Sequence, residues 1–204
     1  MTTSPHRDRA GFTLTELLMV MMVMTILYCI ALSAIRAVER TARKTAARAE
    51  LKSIETAIKQ FYAHYQTWPA VLADDTADRA DAPIDAALAK VLDGTDAATR
   101  GRENGGNPDK MIFIEFSRMT NDGIPLNPWG ASGRYDADKC LYHVAVDADG
   151  DNSVQFAPAG YDNANANAVR LLPANRRFRG SVIVWTFNPE LKENDADYLI
   201  GSWQ

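Results

Sequence analysis

Cysteine is scarce in this chain: there are two in 204 residues, Cys29 and Cys140. Cys29 falls inside an apolar run and Cys140 far downstream, so no intrachain disulfide is expected. Histidine is nearly as rare, with three. His6 lies near the N-terminus. His64 falls near the apolar face of a helical stretch and His143 in a strand-like run, and neither accompanies a nucleophile motif, a phosphate loop or metal-ligand spacing. No catalytic residue is assigned, and the chain is not expected to be an enzyme. Lysine is sparse beyond residue 52, where the chain turns acidic and rich in Asp. Phosphate binding needs a basic surface, so no nucleic-acid partner is expected for that part.

Charge is missing altogether from Leu17 to Ile35. Nineteen residues at ~1.5 Å each make roughly 28 Å of helix, close to the thickness of a bilayer's hydrocarbon core. Glycine and proline are then missing from Arg36 to Tyr65, where Leu51, Ile54, Ile58, Phe61 and Tyr65 recur at helical spacing. The two stretches predict one helix of up to ~50 residues, about 80 Å long, which Pro69 ends. Residues 36–52 carry Arg36, Arg40, Arg43, Lys44, Arg48 and Lys52 against Glu39 and Glu50. Two readings stand for this basic stretch: contact with lipid headgroups or acidic neighbours, or a solvated helix surface.

What is present at the N-terminus narrows the choice. "RDRAGFTLTELLMV" (7–20) sets a short charged leader, Gly11 and Phe12 before the apolar run, with Glu16 at its lip. A secretory signal would have a shorter apolar run and no carboxylate at its entry, although "ALSA" (31–34) offers a cleavage site. A lipoprotein signal would need small residues where Tyr28 precedes Cys29. A plain membrane anchor leaves Glu16 and the Gly-Phe junction unexplained. The stretch "AGFTLTELLMV" resembles the type III signal of type IV pilins and type II secretion pseudopilins. That resemblance implies cleavage between Gly11 and Phe12 by prepilin peptidase and N-methylation of the new Phe12 amine. A carboxylate at membrane depth is costly without a partner. The resemblance supplies one, the Phe12 amine of a neighbouring subunit, which would make Glu16 an assembly residue that sets axial register. The alternative is that Glu16 snorkels to the headgroups.

The organisation expected is a leader (1–11), a transmembrane and assembly helix (12–35), its amphipathic extension (36–69) and a globular domain (70–204). Within the last, "APIDAALAKVLDG" (82–94) reads as a short helix. Pro83 suits its first turn, Ile84, Leu88, Val91 and Leu92 form its stripe, and Gly94 its cap. "GRENGGNPDK" (101–110) reads as a flexible loop. Strand signals follow in "MIFIEF" (111–116), "CLYHVAV" (140–146), "SVQF" (153–156) and "SVIVWTF" (181–187), the second and third close enough for an antiparallel hairpin. The fold class expected is α+β, a long N-terminal helix packed on a small antiparallel sheet.

"PLNPWG" (125–130) predicts a turn whose Trp129 indole plugs the core; it also resembles the "PWG" element of major pseudopilins. "VDADGDNSV" (146–154) places Asp147, Asp149 and Asp151 at alternate positions. Such crowding suits a hard cation, Ca2+, or else forms an Asp-Gly hairpin turn. Gly150 and Pro158 stand in the wrong places for an EF-hand. Major pseudopilins bind calcium in a C-terminal loop, and "NPELKENDAD" (188–197) is a second acidic loop, the candidate source of further ligands.

The resemblance thus implies a subunit of a type II secretion pseudopilus, which helps extrude folded proteins across the outer membrane. Its partners would be further copies in a helical filament, other pseudopilins, prepilin peptidase, an inner-membrane assembly platform and membrane lipid. The leader would be cytoplasmic, the helix single-pass in the bacterial inner membrane and the domain periplasmic; the basic stretch past the helix partly opposes that orientation. The alternatives are a type IV pilin for adhesion, motility or DNA uptake, many of which close a C-terminal loop with a disulfide, and a membrane-anchored periplasmic binding module that never assembles. Glu16 speaks against the minor pseudopilin at the filament tip, which typically lacks it.

Overall fold

The computed structural model describes residues 12–69, 72, 82–95, 105–147, 149–155, 177–192, 195 and 197–203. The expected leader, including Gly11, and most of 70–81 lie outside them. The chain divides into two compact units, residues 1–42 and 43–204.

In the first unit the described chain is Phe12, Thr13 and the N-terminal part of helix α1 (Leu14–Tyr65). Its large apolar side chains, Leu17 to Ile30 and Ile35 among them, are exposed all round the helix, and Leu32 is partly covered. Thr25 Oγ1 donates to the Met21 carbonyl at 2.7 Å, so the hydroxyl is satisfied within the helix. Among the described residues α1 is the one helix long and apolar enough to cross a membrane.

The second unit is built on the C-terminal part of α1. Ala47, Leu51, Ile54, Ile58, Phe61 and Tyr65 are all buried, the 3–4 spacing having laid them on one face. Gln66, at φ 58°, and Pro69 then turn the chain out of the helix. Strands β1 (Ala82–Pro83), β2 (Tyr142–Val146), β5 (Val182–Phe187) and β6 (Leu199–Gly201) form an antiparallel sheet in the order β1-β2-β5-β6. Tyr142, Val144 and Val146 of β2, with Val182 and Val184 of β5, face the helix. Helix α2 (Ala86–Asp93) adds Leu88, Val91 and Leu92 to the same core. The opposite sheet face carries Ala145, Ile183 and Trp185 and is covered by a second ribbon, β3 (Ser153–Gln155) paired with β4 (Arg177–Arg179), through Val154 and Phe178. The sheet is therefore the middle of three layers, and each face has its own apolar cluster.

Expected and observed elements agree on α1, α2, β2, β3 and β5, and on the α+β class. "MIFIEF" does not become a strand. Residues 111–116 run irregularly past the end of α2, where Phe113 and Ile114 both donate to the Leu92 carbonyl, at 2.9 and 3.3 Å. The edge of the sheet beside β2 is taken instead by the two residues of β1, so this run keeps its β-rich composition without a partner strand. Pro83 belongs to that edge strand rather than to α2, a position proline tolerates because an edge leaves its missing N–H unneeded. Asp85 caps α2, its Oδ1 accepting from Leu88 N at 2.8 Å. Gly94 ends it at φ 77°, where a Cβ would stand 2.9 Å from the Lys110 carbonyl oxygen.

The hairpin expected between β2 and β3 is also absent. β2 pairs with β5, placing His143 opposite Trp185, while β3 pairs only with β4. The intervening turn carries the chain from one sheet to the other. The described part of "GRENGGNPDK", 105–110, is anchored rather than loose. Asn107 is fully buried, donates to the Val91 and Met111 carbonyls at 2.8 and 2.7 Å, and accepts from the Tyr65 hydroxyl at 2.7 Å. One amide thereby ties three segments together.

Candidate functional site

The N-terminal motif begins as an exposed chain: Phe12 is 83% accessible. Thr13 precedes the first helical residue, and its Oγ1 accepts from Glu16 N at 3.3 Å. Glu16 reaches back, and its Oε2 accepts from both Thr13 N and Thr13 Oγ1 at 2.9 Å. This is a capping box, in which residue and carboxylate satisfy each other's free donors at the start of a helix. The carboxylate also sits at the positive end of the helix dipole. Glu16 thus has a partner inside its own chain, and among the described residues its carboxylate bonds fall on Oε2. Sequence reasoning missed Thr13, although Thr-x-x-Glu before an apolar run is the capping-box signature.

The three aspartates come together as the sequence implied. Their carboxylate oxygens lie within 4.8 Å of one another, and Asp147 is buried while Asp149 and Asp151 are exposed. Asp147 Oδ1 accepts from Gly150 N at 2.7 Å and Oδ2 from Asn152 N at 2.8 Å. Asp151 Oδ1 accepts from the backbone and hydroxyl of Ser153, both at 2.7 Å, and Oδ2 from Arg177 Nη1 at 3.2 Å. The Ser153 hydroxyl bond, opposed by desolvation, holds the Asp151 carboxyl below its usual range, and the Ser153 backbone bond and Arg177 add to the effect. The Asp147 carbonyl is taken by Trp68 Nε1 at 3.0 Å.

As a metal cradle the turn fits in part. Three carboxylates offer about half of the six to eight oxygens that Ca2+ takes, and ligands beyond hydrogen-bonded lone pairs remain to be found. Among the described residues no acid of 188–197 joins the group. Glu190 instead accepts from Arg43 Nη1 at 2.8 Å, and Asp197 from Lys44 Nζ at 2.5 Å. Those two contacts also place part of the basic stretch: Arg43 and Lys44 are paired inside the domain, while Arg36 and Arg48 are exposed.

Trp129 is buried as expected, 1% accessible. Its turn is organised by Asn127, which the sequence reading passed over. Asn127 Oδ1 accepts from Trp129 N at 3.0 Å and Gly130 N at 3.2 Å. Its Nδ2 donates to Thr186 Oγ1 at 2.9 Å and the Phe187 carbonyl at 3.1 Å, stapling the turn to β5. At Gly130 a Cβ would come 2.8 Å from Leu126 Cβ, which is why the aromatic is followed by glycine.

A second polar junction locks helix to sheet. Glu50 of α1 accepts from Arg118 and from the Tyr142 hydroxyl, and burial, then the Glu50 bond, pushes the Tyr142 phenol well up. Beside it lies a cleft of about 170 Å³ lined by Ile114, Phe116 and Leu126 among others. His64 is half-exposed at 3.2 Å from Asp109, and His143 stacks on Trp185. Both cysteines are free thiols. Burial, with the Asp136 charge, raises that of Cys140 to about 11 and keeps it protonated.

Residues 6–27 match the family model described as the prokaryotic N-terminal methylation motif. Neither a curated protein nor a solved structure matches the chain. The single N-terminal apolar helix, carrying that motif, fits membrane anchoring. The prepilin-type methylation motif, leading a long helix into a small antiparallel sheet, gives this chain an α+β, pilin-like arrangement consistent with the type IV pilins and pseudopilins.

Proposed function

We propose that this protein is a structural subunit of a type II secretion pseudopilus. The observation that carries the reading is the junction of Gly11 and Phe12 with Glu16 four residues on, at the lip of an otherwise uncharged helix. Prepilin peptidase cuts after Gly11 and the Phe12 amine is methylated. In the filament that amine meets Glu16 of an adjoining copy, and each charge offsets the other's desolvation. Among the described residues Thr13 engages Glu16 through Oε2, so Oε1 can accept the neighbour's amine while the helix cap stays closed.

The secretion branch is favoured over a surface pilin by the Trp129 turn and by the acidic turn at 147–151, whose resemblances both lie with pseudopilins. On this reading Asp147, Asp149 and Asp151 hold Ca2+, which would neutralise their mutual repulsion and stiffen the passage between the two sheets. Arg177 would give up Asp151 when the ion binds. The globular unit lies in the periplasm, and an inner-membrane platform drives assembly.

The first experiment is the intact mass and N-terminal sequence of the protein extracted from its host's membranes. A chain beginning at N-methyl-Phe12 supports the filament reading; one retaining residues 1–11, or cut near Ala34, ends it. Glu16→Ala then separates a filament subunit from an anchored binding module. It abolishes cross-linked multimers and secretion in the first case and changes neither in the second. Deleting the gene separates the branches, since a pseudopilin's loss stops secretion and a pilin's removes surface filaments.

A further inference from the structure

The run that follows α2 has the composition of a strand but no ladder over 111–117. From Ile114 onward its burial alternates as in an extended chain: Ile114, Phe116 and Arg118 are partly covered, and Glu115, Ser117 and Met119 exposed. Among the described residues the backbone groups of Glu115, Phe116 and Ser117 make no hydrogen bond. A row of unpaired amides and carbonyls is a template for a further strand. Beside it lies the cleft of about 170 Å³, walled by Ile54, Ile114, Phe116 and Leu126. Arg118 also lines that cleft, and its Nε is buried with no acceptor among the described residues. Glu115, on the rim, is exposed and forms neither an ion pair nor a hydrogen bond with a described residue. Ile112, at 63%, is the most exposed large apolar side chain described in this unit.

We propose that the 114–117 edge and this cleft dock an extended segment of a partner protein in which apolar and basic side chains alternate. The added strand satisfies the unpaired backbone groups, which is how exposed edges bind peptides. The cleft sets the size of the apolar side chain. Its volume of about 170 Å³ lies below the roughly 300–1,000 Å³ of small-molecule sites and suits one side chain of leucine size. Its polar wall carries no net charge to call for an ion, because Glu50 and Arg118 are paired, and the Arg118 Nε donates to a peptide carbonyl. Glu115 sets the charge, since an opposite charge directly across two strands is favoured and a like one is not. The segment therefore reads basic, apolar, basic, with the apolar residue in the cleft. The inference does not rest on the filament reading, because edge and cleft belong to the globular unit of a single chain.

Fluorescence anisotropy on the full chain in neutral-detergent micelles tests the site, with a labelled heptapeptide alternating lysine and leucine as the probe. Wild type binds it saturably above the background of empty micelles. The same peptide with its amides N-methylated keeps every side chain but cannot donate. It binds about tenfold more weakly, the effect of two lost hydrogen bonds. Wild type prefers the lysine–leucine peptide to a glutamate–leucine one, and Glu115→Lys reverses that preference. Ser53→Phe, on the exposed helix face bordering the cleft, fills it and removes saturable binding while near-ultraviolet dichroism stays that of wild type. No saturable binding by wild type, equal affinity for the methylated peptide, an unchanged preference in Glu115→Lys, or saturable binding that survives in Ser53→Phe overturns the inference. So does self-association of wild type that Ser53→Phe abolishes, which would give the edge to a second copy.

Discussion

The two parts of α1 invert the usual relation between hydrophobicity and burial. Before residue 43 the helix holds a run, Leu17 to Ile35, that is apolar on every side, and its large side chains, Leu17, Met21, Met24 and Leu27 among them, are exposed. After it, apolar residues appear only every third or fourth position, and Leu51, Ile58 and Phe61 have no accessible surface at all. A stripe needs one partner, and the chain supplies it as a sheet. An apolar cylinder needs cover from all directions, which lipid or several neighbouring helices provide and one small domain does not. The difference lies in the arrangement of the apolar residues as well as in their number.

Perturbations that act on one part only sharpen this contrast. Phe61→Ala removes a fully buried ring that packs edge-on against Phe113, and should cost about 3–5 kcal/mol. Denaturant melts of the full chain in micelles, followed by tryptophan fluorescence, should show the loss while membrane extraction and N-terminal processing are unchanged. Asn127→Ala should cost roughly 1–3 kcal/mol, because the Trp129 and Gly130 amides lose their shared acceptor. The same melt measures it, with near-ultraviolet dichroism reporting on the Trp129 ring.

Thr13→Val works from the other end. It opens the capping box for about 1 kcal/mol of local helix stability and should leave the globular melt untouched. If Glu16 is held for a neighbour by Thr13, cross-linked multimers fall in Thr13→Val and recover in Thr13→Ser. A deficit shared equally by both would make Thr13 irrelevant to assembly.

The smallest effect is that of acid. Asp151 is held below its usual pKa by Ser153. Glu55 is also held low, burial raising it but the Lys59, Lys52 and Ser202 bonds outweighing that. Both contributions are fully present above the unfolded carboxylate range near 4, and disappear as pH falls through the lowered folded values. Melts between pH 5 and 2 should therefore weaken progressively in wild type and less steeply in Asp151→Asn. Chain segments before residue 43 should show no matching change.

Some of this was legible because it is periodic. Leu51, Ile54, Ile58, Phe61 and Tyr65, with Leu88, Val91 and Leu92, were placed on buried faces by spacing alone, and adjacency grouped Asp147, Asp149 and Asp151 into one cluster. What failed was pairing. "MIFIEF" has the strongest strand composition after β5, yet Ile112 is 63% exposed and the run joins no sheet, because β-propensity says nothing about which edge is vacant. β4 and β6 are three residues each, too short for alternation to register. Asn107 and Asn127 sit in turn-rich stretches where asparagine is common, so nothing in the sequence distinguishes a buried staple from an ordinary loop residue.

The sequence by itself determined the membrane-length helix, the junction at Gly11 and Phe12 with Glu16 beyond it, and the α+β class, because each depends on residues close together along the chain. Tertiary structure alone decided that the acidic turn bridges two sheets instead of joining a hairpin, and that Glu190 and Asp197 bind Arg43 and Lys44. Both depend on pairings between segments far apart in sequence, and a local pattern cannot choose among partners it does not contain. The cap shows the complementary limit: its residues are neighbours, but which atoms meet is settled only when the helix has formed.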